Sequence, residues 1–212
     1  MKKLIIFAVA ISVSFFSCSK DDGSTSKKQE QQTIKNQQQQ TQNNNQNQNQ
    51  NQNNNSSPAS NVYPVKSIGN SAGKDQYVDF SWQENGQEKK LSDYKGKVIL
   101  LNFWATWCGP CKRELPDLSK LSTELQGKDF KMIGISVDQE SGAVDNFLRS
   151  NQLSYTVLHE PNELVMKYMS VSGQNDNVIP QTYIIDKKGK VVEALVGSRS
   201  KEDFMKILNK YL

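Results

Sequence analysis

The chain has 212 residues, of which 35% are hydrophobic, and it carries a formal net charge of +4 at pH 7. That is enough apolar material for one globular domain together with a segment that does not fold. Because the charge is mild and the sequence has no basic stripe with interleaved aromatic residues, nucleic-acid binding is not expected.

The N-terminus has the pattern of an export signal. Two lysines follow Met1, and the apolar run over residues 4–16 is too short to span a bilayer but suits a signal-peptide core. Residues 1–17 are therefore predicted to be a signal peptide. The junction Ser17-Cys18 resembles the lipobox of bacterial lipoproteins, although Phe15 stands where leucine is usual. The resemblance implies a lipid on Cys18 that anchors the protein to a membrane of the bacterial cell envelope, on the periplasmic side or at the cell surface. The alternative is ordinary cleavage that leaves a free thiol.

The next segment has the composition of a disordered chain. Residues 29–57 are almost entirely Gln and Asn, with hardly any charge and no apolar periodicity. Such a segment cannot bury enough apolar surface to offset its conformational entropy. We therefore predict that residues 18–61 form a lipid-anchored, Gln/Asn-rich disordered tether. An aggregation-prone or adhesive tract is the alternative.

The first folded elements are predicted to be strands. Residues 77–82 and 88–91 flank Asn85-Gly86, a pair that favours a tight hairpin turn. An apolar run then begins at Val98, has the length of a fully buried strand and ends at the turn Thr106-Trp107. Strand and helix patterns alternate after it, which predicts a parallel-rich sheet covered on both faces. The predicted helices are 109–127, 142–150, 162–169 and 201–212, and the predicted strands are 130–137, 155–158, 181–186 and 191–196.

Two cysteines lie where the buried strand gives way to the first helix. A thiolate at a helix N-terminus is stabilised by unpaired backbone N–H groups and by the helix dipole, so Cys108 is predicted to be the nucleophile. Cys111, one turn into the helix, is expected to be shielded, whereas the sulfur of Cys108 is expected to be exposed. A structural zinc site would need four ligands, and the chain adds only Cys18 and His159. A c-type haem would need histidine where Lys112 stands.

The sequence around the cysteines carries a family resemblance. Residues 102–111, Asn-Phe-Trp-Ala-Thr-Trp-Cys-Gly-Pro-Cys, resemble the active-site motif of the TlpA/ResA-like branch of thioredoxin-fold thiol-disulfide oxidoreductases. The resemblance implies an α/β, thioredoxin-like domain over residues 62–212. That fold has a mixed central sheet flanked by helices, an N-terminal β-hairpin and a central βα insertion.

The resemblance also implies which residues surround the dithiol. Thioredoxin-fold proteins place a cis-proline where Ile179-Pro180 stands, and these two residues together with Trp107 are expected to bind substrate. Trp107 is also expected to pack into the core. A glutamate at the position of Glu114 belongs to the active site in this branch, and it lies on the same helix face as Cys111. Its alternative is a solvated member of a surface charge run. Asn102 stands where ordinary thioredoxins have a buried aspartate.

The implied function is reduction of disulfide bonds in envelope proteins, with attack by Cys108 and resolution by Cys111. Gly109-Pro110 between them resembles reducing thioredoxins. No cofactor or metal is expected, the protein is expected to be a monomer, and a membrane electron donor is required. Cytochrome c maturation is one role of the family. The alternatives are a disulfide-forming oxidase and a surface-displayed binding lipoprotein with vestigial redox activity. A peroxidase would need threonine where Ala105 stands.

Overall fold

The computed structural model describes residues 62–212, which build one eight-stranded sheet with helices on both faces. The strands are β1 (Val62–Ser71), β2 (Val78–Glu84), β3 (Gln87–Lys90), β4 (Val98–Trp104), β5 (Phe130–Ser136), β6 (Thr156–His159), β7 (Gln181–Ile185) and β8 (Val191–Val196). The helices are α1 (Gly109–Glu124), α2 (Ser141–Ser150), α3 (Glu163–Ser172) and α4 (Lys201–Leu208), and a short 3-10 helix spans Leu91–Tyr94. The predicted signal peptide and tether lie outside the described residues. Within 62–212, no helix has both the length and the apolar character needed to cross a membrane.

The sheet is mixed, as the family resemblance implied. The prediction of a parallel-rich sheet is wrong, because four of the seven strand pairs are antiparallel. The strand order is β3-β2-β1-β6-β5-β4-β7-β8. Parallel pairing joins β1 to β6, β6 to β5 and β5 to β4. The remaining neighbours are antiparallel. The predicted hairpin is present as β2 and β3, and its turn places Asn85 at φ 52° and Gly86 at φ 78°. Both residues therefore adopt the left-handed conformation that a tight hairpin turn requires.

Strand β1 was not predicted, although it lies in the middle of the sheet. Its sequence contains Pro64 and Gly69, which weaken a strand pattern. The strand also changes partner along its length. Residues 62–64 pair with β6, whereas residues 65–71 pair with β2 and show register shifts. Each register shift interrupts the in-and-out alternation of the side chains, so periodicity does not reveal the strand.

Strand β4 is buried on both faces, which explains its continuous apolar sequence. On one face Phe103 packs against Tyr168 of α3 and Tyr183 of β7, with ring centroids 5.8 and 5.7 Å away. On the other face lie the apolar sides of α1, α2 and α4. The end of β4 leads directly into α1, so the rigid centre of the sheet determines where α1 begins.

Two helices end earlier than predicted. Helix α1 stops at Glu124 rather than at Gly127, and α4 stops at Leu208 rather than at the last residue. Residues beyond each end continue in turns, with Gly127 at φ 82°. The apolar stripe extends past the last helical residue in both cases, because turn residues such as Leu125 also pack into the core.

Candidate active site

The two cysteines form a disulfide bond at the N-terminus of α1, with their Cα atoms 5.3 Å apart. Cys108 is the N-cap residue, and its Sγ accepts a hydrogen bond from the backbone N–H of Cys111 at 3.2 Å. The prediction that the sulfur of Cys108 is exposed is wrong for this oxidised form, because Cys108 is only 5% exposed. Cys111 is 0% exposed, so the predicted order of access is still observed.

The Ile179–Pro180 peptide bond is cis and lies against the disulfide. The carbonyl oxygen of Ile179 is 3.7 Å from Sγ of Cys108. Strand β7 begins one residue later and pairs antiparallel with β4, which brings this bond to the end of β4 where the helix starts. The polar loop before the bond is attached to β7, since the side-chain N–H of Gln181 donates to the carbonyl of Asp176 at 2.6 Å.

Two large apolar side chains beside the dithiol are exposed. Trp107, which precedes Cys108, is 68% exposed, and Val178, which precedes Ile179, is 58% exposed. The expectation that Trp107 packs into the core is wrong. Strand β4 ends at Trp104, so Trp107 belongs to a surface turn and no longer follows the in-and-out alternation of the strand.

Glu114 lies one turn after Cys111 and is buried, with 2% exposure, so it is not part of a solvated charge run. Its Oε1 accepts from Nδ2 of Asn102 at 2.8 Å, and its Oε2 accepts from the backbone N–H of Arg199 at 3.2 Å. Burial raises the pKa of Glu114 from 4.5 to about 7, against the opposing effects of these hydrogen bonds and of the Arg199 charge. A carboxyl group with this pKa can take up and release a proton near neutral pH.

Asn102 links this carboxyl group to the central sheet. Its Nδ2 also donates to Oγ1 of Thr182 at 3.0 Å, across the β4–β7 pair. Its Oδ1 is buried and has no hydrogen-bond partner among residues 62–212. The contributions of Arg199 and Thr182 were not predicted. Arg199 lies 85 residues after Glu114, and Thr182 lies 80 residues after Asn102. A local sequence pattern therefore does not reveal these contacts.

Asp138 is a further buried residue that sequence reasoning missed. Its carboxylate accepts from the backbone N–H and the hydroxyl of Thr106 at 2.9 and 2.6 Å, and from the hydroxyl of Ser136 at 2.7 Å. These hydrogen bonds therefore hold the turn that contains Thr106 and Trp107 and leads to Cys108. His159 lies at the end of β6, and its Nε2 is 2.8 Å from the carbonyl oxygen of Asp138.

A cavity of about 760 Å³ lies at the other end of the sheet, away from the dithiol. It is lined by the residues where β4 and β5 begin, among them Lys97 and Phe130, and by neither cysteine. Among the described residues, no group of three His, Cys, Asp or Glu side chains could hold a metal ion.

Comparison with known proteins gives consistent matches. Residues 74–194 match the family model described as the AhpC/TSA family. The thiol-disulfide oxidoreductase ResA of Bacillus cereus is 34% identical over 125 residues, which cover 59% of this chain and 69% of ResA.

Solved structures agree with these matches. A thioredoxin-family thiol:disulfide interchange protein from Chlorobium tepidum is similar at a TM-score of 0.59 and 30% identity, over 66% of this chain and 97% of that one. The exposed lipoprotein thioredoxin Etrx1 of Streptococcus pneumoniae is similar at a TM-score of 0.53 and 28% identity, over 62% of this chain and 98% of that one.

Proposed function

The chain belongs to the AhpC/TSA family of thioredoxin-fold proteins and is a thiol-disulfide oxidoreductase, and from this premise we propose that it reduces disulfide bonds of bacterial envelope proteins through Cys108 and Cys111. The observation that carries the proposal is the position of the dithiol. Cys108 caps α1 and faces the carbonyl of Ile179, while Cys111 lies behind it at bonding distance. The relatives favour neither a disulfide-forming oxidase nor a redox-inactive binding lipoprotein.

The reaction begins with the reduced dithiol. The Cys108 thiolate attacks one sulfur of a substrate disulfide, the substrate S–S bond breaks, and the other substrate sulfur leaves as a thiolate. Cys111 then attacks Sγ of Cys108, which releases the second substrate thiol and forms the internal disulfide. Two electrons have passed to the substrate, so a thiol donor must return two electrons to the pair. The N-terminus of α1 supports the first step because it stabilises a thiolate at Cys108.

Glu114 supports the second step. Cys111 must lose its proton before it attacks, and Glu114 is the buried carboxyl group one helical turn away. Its raised pKa makes it a proton acceptor near neutral pH, because a group whose pKa matches the working pH is efficient both as a base and as an acid. Glu114 would take the proton during resolution and release it when the disulfide is reduced again.

The substrate is expected to lie between Trp107 and the Ile179–Pro180 bond. The exposed indole offers an apolar surface beside Cys108, and proline leaves the following strand without one backbone donor at its entry. An extended substrate segment could pair with backbone in this region by strand addition. The cysteine of the substrate would then face Cys108.

The N-terminal sequence and one of the relatives support the proposed cellular setting. That relative is named an exposed lipoprotein thioredoxin. Lipidation of Cys18 would anchor this chain in the same manner, with residues 18–61 as the tether. The electron donor is expected in the same membrane. A monomeric domain at the end of the tether would then react with both the donor and the substrate protein.

Substitution of the resolving cysteine tests the mechanism. The Cys111→Ser variant should accumulate mixed disulfides between Cys108 and envelope proteins, because attack proceeds and release does not. The matched Cys108→Ser variant should accumulate almost none, since its remaining thiol is 0% exposed. Non-reducing gels with and without dithiothreitol measure both. Equal trapping by the two variants would contradict the assigned order, and no trapping by either would contradict the function.

A further inference from the structure

The hydrogen bonds of Glu114 suit only one of its two protonation states. Both oxygens accept from N–H groups, one from the side chain of Asn102 and one from the backbone of Arg199. A carboxylate accepts at both oxygens, whereas a carboxylic acid must also donate its O–H. The backbone N–H of Arg199 cannot become an acceptor. If Glu114 carries the Cys111 proton, as proposed above, an acceptor must come from elsewhere.

Asn102 can supply that acceptor without any movement of the backbone. A side-chain amide has nearly the same shape after a half turn that exchanges its oxygen and nitrogen. After the turn, Oδ1 would occupy the position that Nδ2 holds now, 2.8 Å from Oε1 of Glu114 and 3.0 Å from Oγ1 of Thr182. The hydroxyl of Thr182 accepts a hydrogen bond in the present arrangement and can rotate to donate one in the other. Each orientation therefore satisfies both neighbours.

The unpartnered Oδ1 of Asn102 is the observation that favours a two-state role. A buried acceptor without a partner is unfavourable, and such groups are uncommon in folded proteins. In the orientation that suits the carboxylate, Oδ1 has no partner among residues 62–212. In the orientation that suits the acid, Oδ1 gains two donors and Nδ2 takes the unpartnered position, so no hydrogen bond at that end of the amide holds it in one orientation. We infer that Asn102 is a positioning residue whose amide turns over when Glu114 gains or loses the proton of Cys111.

Other groups around Glu114 do not duplicate this role. The Arg199 guanidinium is held by the carbonyls of Val196 and Gly197 at 2.9 and 2.6 Å and favours only the carboxylate. Tyr155 also interacts electrostatically with Glu114, but its buried hydroxyl has no hydrogen-bond partner among residues 62–212 and so does not bond the carboxyl group. Cys111 is the proton donor itself. Asn102 is thus the hydrogen-bond partner of Glu114 that can offer either a donor or an acceptor.

Nuclear magnetic resonance of the wild-type oxidised protein tests the inference directly. Above the titration midpoint of Glu114, the Nδ2 protons of Asn102 should show a nuclear Overhauser contact to the methyl group of Thr182. Below the midpoint that contact should be lost, because the nitrogen has turned away. A contact that persists unchanged through the titration would overturn the inference, since an amide with a fixed structural role keeps its orientation. In Glu114→Gln the contact should no longer depend on pH.

The pH profile of the resolution step gives an independent test. Asn102→Asp keeps the shape of the side chain but places a second carboxyl group beside Glu114; the two would share one proton, so the midpoint of the pair should move up. Asn102→Leu removes the donor to the carboxylate and should also move the midpoint up. Unchanged midpoints in both variants would refute a positioning role for Asn102. If Glu114→Gln also left the profile unchanged, the proposed role of Glu114 would fail instead, and disulfide exchange through Cys108 would still stand.

Discussion

The role of Glu114 depends on its burial and not on its position within a run of charged residues. Its neighbours Lys112 and Arg113 are exposed, yet Glu114 faces the sheet beneath α1. The helical spacing from Cys111 indicated that the two side chains share a face. It could not decide between a buried carboxyl and a surface charge, because the burial depends on Asn102 in β4 and on Arg199 after β8. Contacts between distant segments are not visible in a local pattern.

Replacement of this carboxyl should slow one step selectively. In Glu114→Gln, attack by Cys108 should be little changed, whereas resolution by Cys111 should slow by a factor on the order of 10² near neutral pH, because the proton acceptor is lost. Rapid-mixing measurements with a small disulfide substrate can separate the two steps. The matched control is Glu124→Gln, a surface carboxylate on the same helix. Equal effects of both substitutions would contradict the role.

The same substitution should change how stability depends on pH. The pKa of Glu114 is higher in the folded protein, about 7 against 4.5, so the folded state binds the proton more tightly. The stabilisation is complete below about pH 4.5 and is lost as the pH rises through 7. The loss is on the order of 3 kcal/mol, since one unit of pKa corresponds to about 1.4 kcal/mol. Urea unfolding of Glu114→Gln should lack this decline between pH 5 and 7.

The turn between β4 and α1 is the element that presents Cys108. Thr106 lies at its centre. The backbone N–H and the side-chain hydroxyl of Thr106 both donate hydrogen bonds to the carboxylate of Asp138, which follows β5. The backbone N–H of Cys108 also donates to the carbonyl of Ala105 at 3.2 Å. Two neighbouring parallel strands therefore fix the position of the nucleophile at their shared end.

Removal of the anchor should loosen this turn. Asp138→Ala leaves the backbone N–H of Thr106 without its acceptor, so the free energy of unfolding should fall by about 2 kcal/mol. Formation of the mixed disulfide should also slow, because Cys108 is no longer held in one orientation. Denaturant unfolding and the rate of attack measure the two effects. Asp129→Ala, at an exposed carboxylate, should change stability by less than about 0.5 kcal/mol. A similar loss of unfolding free energy in both variants would contradict a specific role of Asp138 in this turn.

Most elements were predictable because their patterns are local. Strand β4 is a continuous apolar run, α1 has a leucine stripe, and the hairpin has the Asn85-Gly86 turn. Strand β1 and the exposure of Trp107 were not predictable. The first depends on two partner strands that come later in the chain, and the second depends on where β4 ends. The dithiol was found from spacing, whereas Arg199, Thr182 and Asp138 required the folded structure.

At the scale of the whole molecule, an unusually polar segment is proposed to connect the catalytic domain to a membrane. Residues 29–57 contain almost only Gln and Asn, which gives a hydrated chain with little charge to attract it to lipid. The proposed tether would let the active site approach both a membrane donor and a substrate farther away. The length of the tether, rather than the surface of the domain, would then limit which partners are within reach.

Lipidation of Cys18 makes a prediction for the whole chain. The mature protein should begin at Cys18 and carry diacylglycerol there, as measured by intact mass, and it should fractionate with membranes. Cys18→Ser should shift the protein out of the membrane fraction while disulfide exchange by the domain is unchanged, because Cys18 is not part of the dithiol. Cys111→Ser is the matched control and should stay in the membrane fraction. An unmodified thiol at Cys18 in the membrane-bound protein would contradict the anchor.

The place of β1 in the sheet has a mechanical consequence. Tension in the chain before the domain arrives at Val62, which is buried and paired with Val157 of β6. From there the load divides between β6 and β2, the two strands that flank β1. Strands β5 and β6 separate β1 from β4, the strand that leads to Cys108. A pull on the chain would strain the hydrogen bonds of β1 long before it disturbed the geometry of the dithiol.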